Sequence, residues 1–205
     1  MRNLRLIKNL IFVICVGGLI FYFFFQKEKI EINSKDINSF ENLDIILSNG
    51  QSFQSKLLDL LNINNATFTH VGILIKKRDS VFVLHSTPDG KKNNSIRFDN
   101  IQSFINLSNV NYIKVLKFSN LDSLLINKTD SLIEKYKSIE LPFDYEFDNL
   151  EKSKIYCSEL VYDLFFESGL LKTKVDLNKP IHPGEFINFK ELKCTYERKS
   201  TANKM

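Results

Sequence analysis

The sequence predicts an α+β domain, an antiparallel sheet with helices packed on it. Three observations predict it. Phe68 to Ile75 and Val81 to Ser86 are short apolar, β-branched runs separated by Lys76-Lys77-Arg78-Asp79-Ser80, the pattern of a hairpin. Leu43 to Leu47, Ile96 to Phe98 and Val110 to Phe118 are further strand-like runs. Leu121 to Tyr136 and Cys157 to Leu170 are helical segments, the second carrying its apolar residues at i, i+3, i+4 spacing.

The chain opens with Arg2, Arg5 and Lys8 ahead of an unbroken apolar run from Leu10 to Phe25. Those sixteen residues reach about 24 Å as a helix, short of the roughly 30 Å hydrocarbon core, and Lys8 and Lys27 can snorkel to cover the difference. The run ends in Phe21-Tyr22-Phe23-Phe24-Phe25-Gln26, without a small-residue cleavage site. The expectation is an N-terminal transmembrane signal anchor over residues 1–29. Its basic flank puts the N-terminus inside the cytoplasmic membrane and the domain outside, in a single pass. A cleaved signal (a secreted protein) and a lipoprotein through Cys15 are the alternatives.

Residues 30–42 are polar and charged and read as a spacer. The domain is expected over 43–196, with a polar tail at 197–205. Within it, Phe53 to Leu61 has helical spacing, Thr87-Pro88-Asp89-Gly90 is a turn signal, and a short helix is expected near Asn100 to Leu107. Gly169 fits the end of the Cys157 helix, and Leu192 to Tyr196 is a last short strand.

A cysteine where a polar turn becomes a helix sits at the positive end of the helix dipole, which favours thiolate. Cys157 holds that place in Tyr156-Cys157-Ser158-Glu159-Leu160-Val161. The chain has three histidines, and His70 lies in a strand-like run as a base for that thiol. Each residue alone also reads as structural: Cys157 as an inert core thiol, His70 as a core histidine. Their pairing carries the reading. His85 shares a face with His70 if the hairpin loop holds an even number of residues, as a four-residue loop Lys77 to Ser80 does; otherwise it is a surface or core histidine. His182 lies in a proline-bounded loop and reads as structural. Glu159, in the first helical turn, complements the dipole. The N–H groups of Cys157 and Ser158 are oxyanion candidates. Asp144 and Tyr145 read either as cleft residues or as a turn with a packed tyrosine.

His70-Val71-Gly72-Ile73 with Phe82-Val83-Leu84-His85-Ser86 resembles the histidine hairpin of NlpC-type papain-like hydrolases, and Tyr156 to Val161 resembles their nucleophile helix. The cysteine follows the histidines by about seventy residues, where the ordinary family has it first. That order, the Cys-Ser-Glu-Leu-Val wording, Leu43 to Gly50 and Pro142-Phe143-Asp144-Tyr145 resemble the circularly permuted branch, the YiiX/YaeF-like papain-like amidases. The resemblance runs from about Asp44 to Phe186. It implies a circularly permuted papain-like fold and acyl transfer to water, with Cys157 as nucleophile, His70 as base and His85 as the residue that orients it. It implies amide or peptide substrates; location in the cell envelope adds peptidoglycan peptides. Relatives that act on lipid acyl groups make an acyl hydrolase or acyltransferase the alternative, and a non-catalytic envelope binding module the third class.

Composition excludes other classes. With 43% hydrophobic residues and 18 phenylalanines the chain can build a core. The net charge of +4 comes from the N-terminus. Five of the 28 basic and one of the 24 acidic residues precede Ile30, leaving 23 of each sign. No basic stripe with interleaved aromatics appears, so no nucleic-acid partner is expected. The histidines and cysteines lack metal-ligand spacing, so no metal and no other cofactor is expected.

Overall fold

The computed structural model of this chain describes residues 30–50, 67–78, 80–91, 93–107 and 110–200. Its elements are α1 (Ser34–Ser39), β1 (Ile45–Asn49), β2 (His70–Lys77), β3 (Ser80–Lys91), β4 (Asn94–Asn100), α2 (Ile101–Leu107), β5 (Tyr112–Phe118), α3 (Ser123–Ser138), α4 (Cys157–Ser168), a 3-10 turn (Pro183–Asn188) and β6 (Leu192–Lys199). The helix expected at Phe53 to Leu61 lies outside the described residues.

The six strands form one sheet in the order β4-β3-β2-β1-β5-β6, antiparallel at every pair. Strand β1 is central, and Ile45, Ile46 and Leu47 are fully buried. Its run is apolar throughout, not alternating, because both sheet faces are covered. Ile45 and Leu47 share a core with Val71, Ile73 and the α4 residues Leu160, Val161, Leu164 and Phe165. Ile46 packs on the other side with Leu74, Val83 and Phe104 of α2. Each large apolar side chain taken fully out of water contributes about 1.5–3 kcal/mol, so these layers hold α4 firmly against the sheet.

The transmembrane helix expected ahead of the domain is a correction to the fold class. No helix among the described residues is long and apolar enough to cross a membrane. Residues 1–29, where it was expected, lie outside the described residues. The fold described is the α+β sheet with its helices.

Residues 30–42 are not a free spacer. Ile30, Ile32 and Phe40 are buried in the α2-side core. Phe40 meets Tyr196 edge-on at 5.2 Å, and Asp36 accepts hydrogen bonds from Tyr196 and Arg198. The sequence shows polar side chains there; what sets the outcome is three apolar residues finding an uncovered face. β6 likewise runs on to Lys199, beyond the expected domain end at 196. Thr87 to Gly90, expected as a turn, lies within β3, whose pairing with β4 is irregular between Ser86 and Lys91.

The hairpin is tighter than expected. Lys77 pairs with Ser80, so two residues separate the paired strands. Arg78 adopts φ 53°, as a tight hairpin demands. The loop count is still even, so His70 and His85 share a face. Gly72 lets β3 approach: a Cβ there would lie 3.1 Å from the Leu84 carbonyl oxygen and 3.2 Å from the His85 Cβ.

Candidate active site

Helix α4 starts at Cys157 without a side-chain cap, Tyr156 being extended at the cap position. Its first N–H groups are therefore not taken by a capping side chain, and those of Cys157 and Ser158 favour the charged form of the thiol. The helix ends at Gly169, whose φ of 89° is left-handed. The segment before it is clamped: Ile155 N–H donates to the Pro142 carbonyl, and Ser86 Oγ donates to the Ile155 carbonyl at 2.9 Å. The β2–β3 ladder ends at Ile73–Leu84. At the open end beyond it, the Val71 N–H lies close enough to favour the charged form of the Cys157 sulfur.

Cys157 is buried, 6% exposed. The expectation of a thiol lowered by the helix dipole does not hold in the resting structure. Burial pushes the thiol up to about 11; the Ser158 hydroxyl and the N–H groups of Val71, Ser158 and Cys157 act the other way and are outweighed. The resting sulfur is a protonated thiol. Alkylation of Cys157 by iodoacetamide, followed by peptide mass spectrometry, is thus expected to quicken by about tenfold per pH unit between about pH 7 and pH 10. A plateau already reached at neutral pH would show a preformed thiolate instead.

His70 and His85 are both buried. His70 Nε2 lies 2.9 Å from His85 Nδ1. Both rings lean on Phe104 of α2, His70 stacked at 5.3 Å and His85 edge-on at 5.1 Å. Burial, with the His85 charge, holds His70 well below the usual histidine range, so it is neutral. His70 Nδ1 is enclosed and makes no hydrogen bond, to Cys157 or to any other described group. The Val71 backbone N–H, one residue along the chain, favours the charged form of the sulfur. Catalytic hydrogen bonds are often open in a substrate-free site and close in the complex.

The other candidates take different places. Ser158 is buried, with its hydroxyl 3.9 Å from the sulfur. Asp144 is fully buried and accepts the N–H groups of Glu146 and Asp148, which orders the loop before the helix. Tyr145 is half exposed. Neither lines the cleft beside Cys157. That cleft is walled by Phe143, Phe147, Tyr156, Ile181, Pro180 and Pro183, with Thr69, Ser158 and His182 at its edges. Its free space is about 10 Å³, room for one water. Tyr156 anchors the far wall: its hydroxyl donates to Asn149 and accepts the Ile181 N–H at 2.8 Å. Glu159 is buried and paired with the half-exposed Lys152 at 2.7 Å. Burial outweighs that pair and pushes its carboxyl up to about 7. It faces the groove between α3 and α4, away from the thiol cleft.

Asp99 and Phe104 were not legible as site residues. Asp99 Oδ2 lies 3.0 Å from His85 Nε2. Arg97 and Asp99 on one strand show a charged face and nothing more, and their reach to His85 depends on strand register.

A sheet carrying a histidine hairpin, followed by a helix that opens on cysteine, is the architecture of a papain-like thiol hydrolase with its halves in permuted order. The family model of permuted papain-like amidase enzymes, YaeF/YiiX, of the C92 peptidases, matches residues 41–197, and the chain belongs to that family. It is an amidase-type hydrolase by that membership. Metalloprotein yiiX from Escherichia coli O157:H7 has the same fold, with a TM-score of 0.59 at 17% identity over 78% of this chain and 98% of that one. No curated protein matches the sequence.

Proposed function

We propose that this protein cleaves amide bonds through Cys157, with His70 as the base and His85 as its partner. The observation that carries the reading is the family match over residues 41–197 together with a thiol that opens helix α4; the enclosed, unpartnered Nδ1 of His70 makes that ring the proposed base. Because the thiol rests protonated, attack and proton transfer go together. His70 Nδ1 takes the proton as sulfur bonds to the carbonyl carbon, and returns it to the leaving amine. Water then cleaves the thioester. The N–H groups of Cys157 and Ser158 at the helix start stabilise the oxyanion.

The amide class to test first is the peptide, peptidoglycan peptides included. A second reading, hydrolysis of lipid acyl groups, is favoured by the aromatic and proline wall beside the thiol, which suits an apolar acyl chain. YiiX is described as a metalloprotein. Among the described residues no group of three or more His, Cys, Asp or Glu side chains is placed to hold a metal ion, so no step is derived through one. The test is acyl-enzyme trapping. Brief incubation with p-nitrophenyl octanoate is expected to add one octanoyl group to the Cys157 peptide. Label found only on other residues would remove Cys157 from the nucleophile's role.

A further inference from the structure

We propose that Asp99 is a positioning residue that sets the tautomers of His85 and His70 in series, leaving His70 Nδ1 as the unprotonated atom. The proposal rests on reading His70 as the base. It adds a residue on β4 that acts only through two imidazoles.

Asp99 is ionised, and its carboxyl is held below the usual range first by the His85 hydrogen bond, against burial, and then by Arg97. Arg97 grips both oxygens, Nη2 donating to Oδ1 at 3.0 Å and Nε lying 2.8 Å from Oδ2. A carboxylate only accepts, so the His85 Nε2 that meets Oδ2 at 3.0 Å carries a proton. While His85 is the cation that lowers the pKa of His70 and Asp99, its Nδ1 also carries a proton and the series is reversed. Once His85 is neutral its other nitrogen, Nδ1, is bare. Nδ1 lies 2.9 Å from His70 Nε2, and one of the two must donate. Only His70 Nε2 can. In a neutral His70 this leaves Nδ1 without a proton, and Nδ1 is the atom that has no hydrogen-bond partner.

Without the carboxylate, the reversed series satisfies the His70–His85 contact equally well. His85 Nδ1 then donates to a bare His70 Nε2, and the proton of His70 sits on Nδ1. That form cannot take a proton from the thiol. Asp99 therefore selects the competent of two otherwise matched arrangements. During the reaction one proton moves from Cys157 Sγ to His70 Nδ1. The imidazolium so formed donates through Nε2 to His85, with the Asp99 charge beyond it. Asp99 itself gives and takes no proton.

The experiment uses the full chain labelled with ¹⁵N-histidine, read by long-range ¹H–¹⁵N correlation. The chain has three histidines, and His182→Gln identifies the signal of the third. At a pH high enough that His85 is neutral, the parent protein is expected to show protons on Nε2 of both His70 and His85 and none on either Nδ1. In Asp99→Ala the tautomers should mix, with a proton appearing on His70 Nδ1. The kcat for p-nitrophenyl octanoate should fall at least about tenfold with KM little changed, and Asp99→Glu should recover part of it. A parent spectrum with a proton on His70 Nδ1, or an Asp99→Ala spectrum with unchanged tautomers, overturns the proposal. If Asp99→Ala fails to fold, the parent spectrum still decides. The spectra need no turnover, so they stand or fall separately from the nucleophile assignment. A merely structural Asp99 would lower the melting temperature and leave the tautomers alone.

Discussion

Cys157→Ala is expected to lose hydrolysis of p-nitrophenyl octanoate by at least about a thousandfold, because no other group replaces a thiol that forms the covalent intermediate. The loss should appear in kcat, with the fold intact. Cys157 is buried, so removing its sulfur leaves a small void, costing about 1 kcal/mol and lowering the melting temperature by a few degrees. A parent-like rate in a folded variant would end the thiol-hydrolase reading. The other described cysteine, Cys194, is free and exposed on β6, so the comparison is best repeated in a Cys194→Ser background.

The second large effect is expected at His70. His70→Gln should lower kcat by about 10²–10⁴-fold, the usual contribution of a positioned acid–base group. Glutamine has similar bulk and can still donate to His85 Nδ1, so the aromatic seat on Phe104 and the buried hydrogen bond are the least disturbed. It has no lone pair suited to take the thiol proton. Because the resting thiol is already protonated, the variant's remaining activity should climb with pH as hydroxide in solution does the deprotonation. An activity and pH profile matching the parent would show that His70 is not the base. The two substitutions are not additive if the residues act as one unit: Cys157→Ala with His70→Gln should be scarcely worse than Cys157→Ala alone.

Much of this architecture was legible in the chain. Strand and helix periods are local, and the start of α4 at Cys157, its stop at Gly169 and the shared face of His70 and His85 follow from spacing alone. A loop of two residues in place of four leaves the shared face unchanged, because only evenness matters. The His-before-Cys order and the wording around Cys157 carried the family.

Other properties belong to the tertiary structure. The helix dipole that favours a thiolate belongs to the first turn of one helix. The protonation state of Cys157 depends on its burial in the assembled fold, which outweighs the Ser158 hydroxyl and the nearby N–H groups and favours the neutral thiol. Asp99 meets His85 across β3 and β4, whose pairing is irregular beyond Ser86, so their alignment is not readable from spacing. Asp144 looked like a cleft residue until its oxygens proved to be held by the loop's own N–H groups. Residues 30–42 are polar in sequence but contribute three apolar side chains to a face that only the assembled sheet exposes. The sequence by itself determined which elements form and which side chains share a face, because backbone geometry repeats every few residues. The tertiary structure decided charge states, tautomers and partners, because desolvation and hydrogen bonding depend on atoms that the fold brings together from distant parts of the chain.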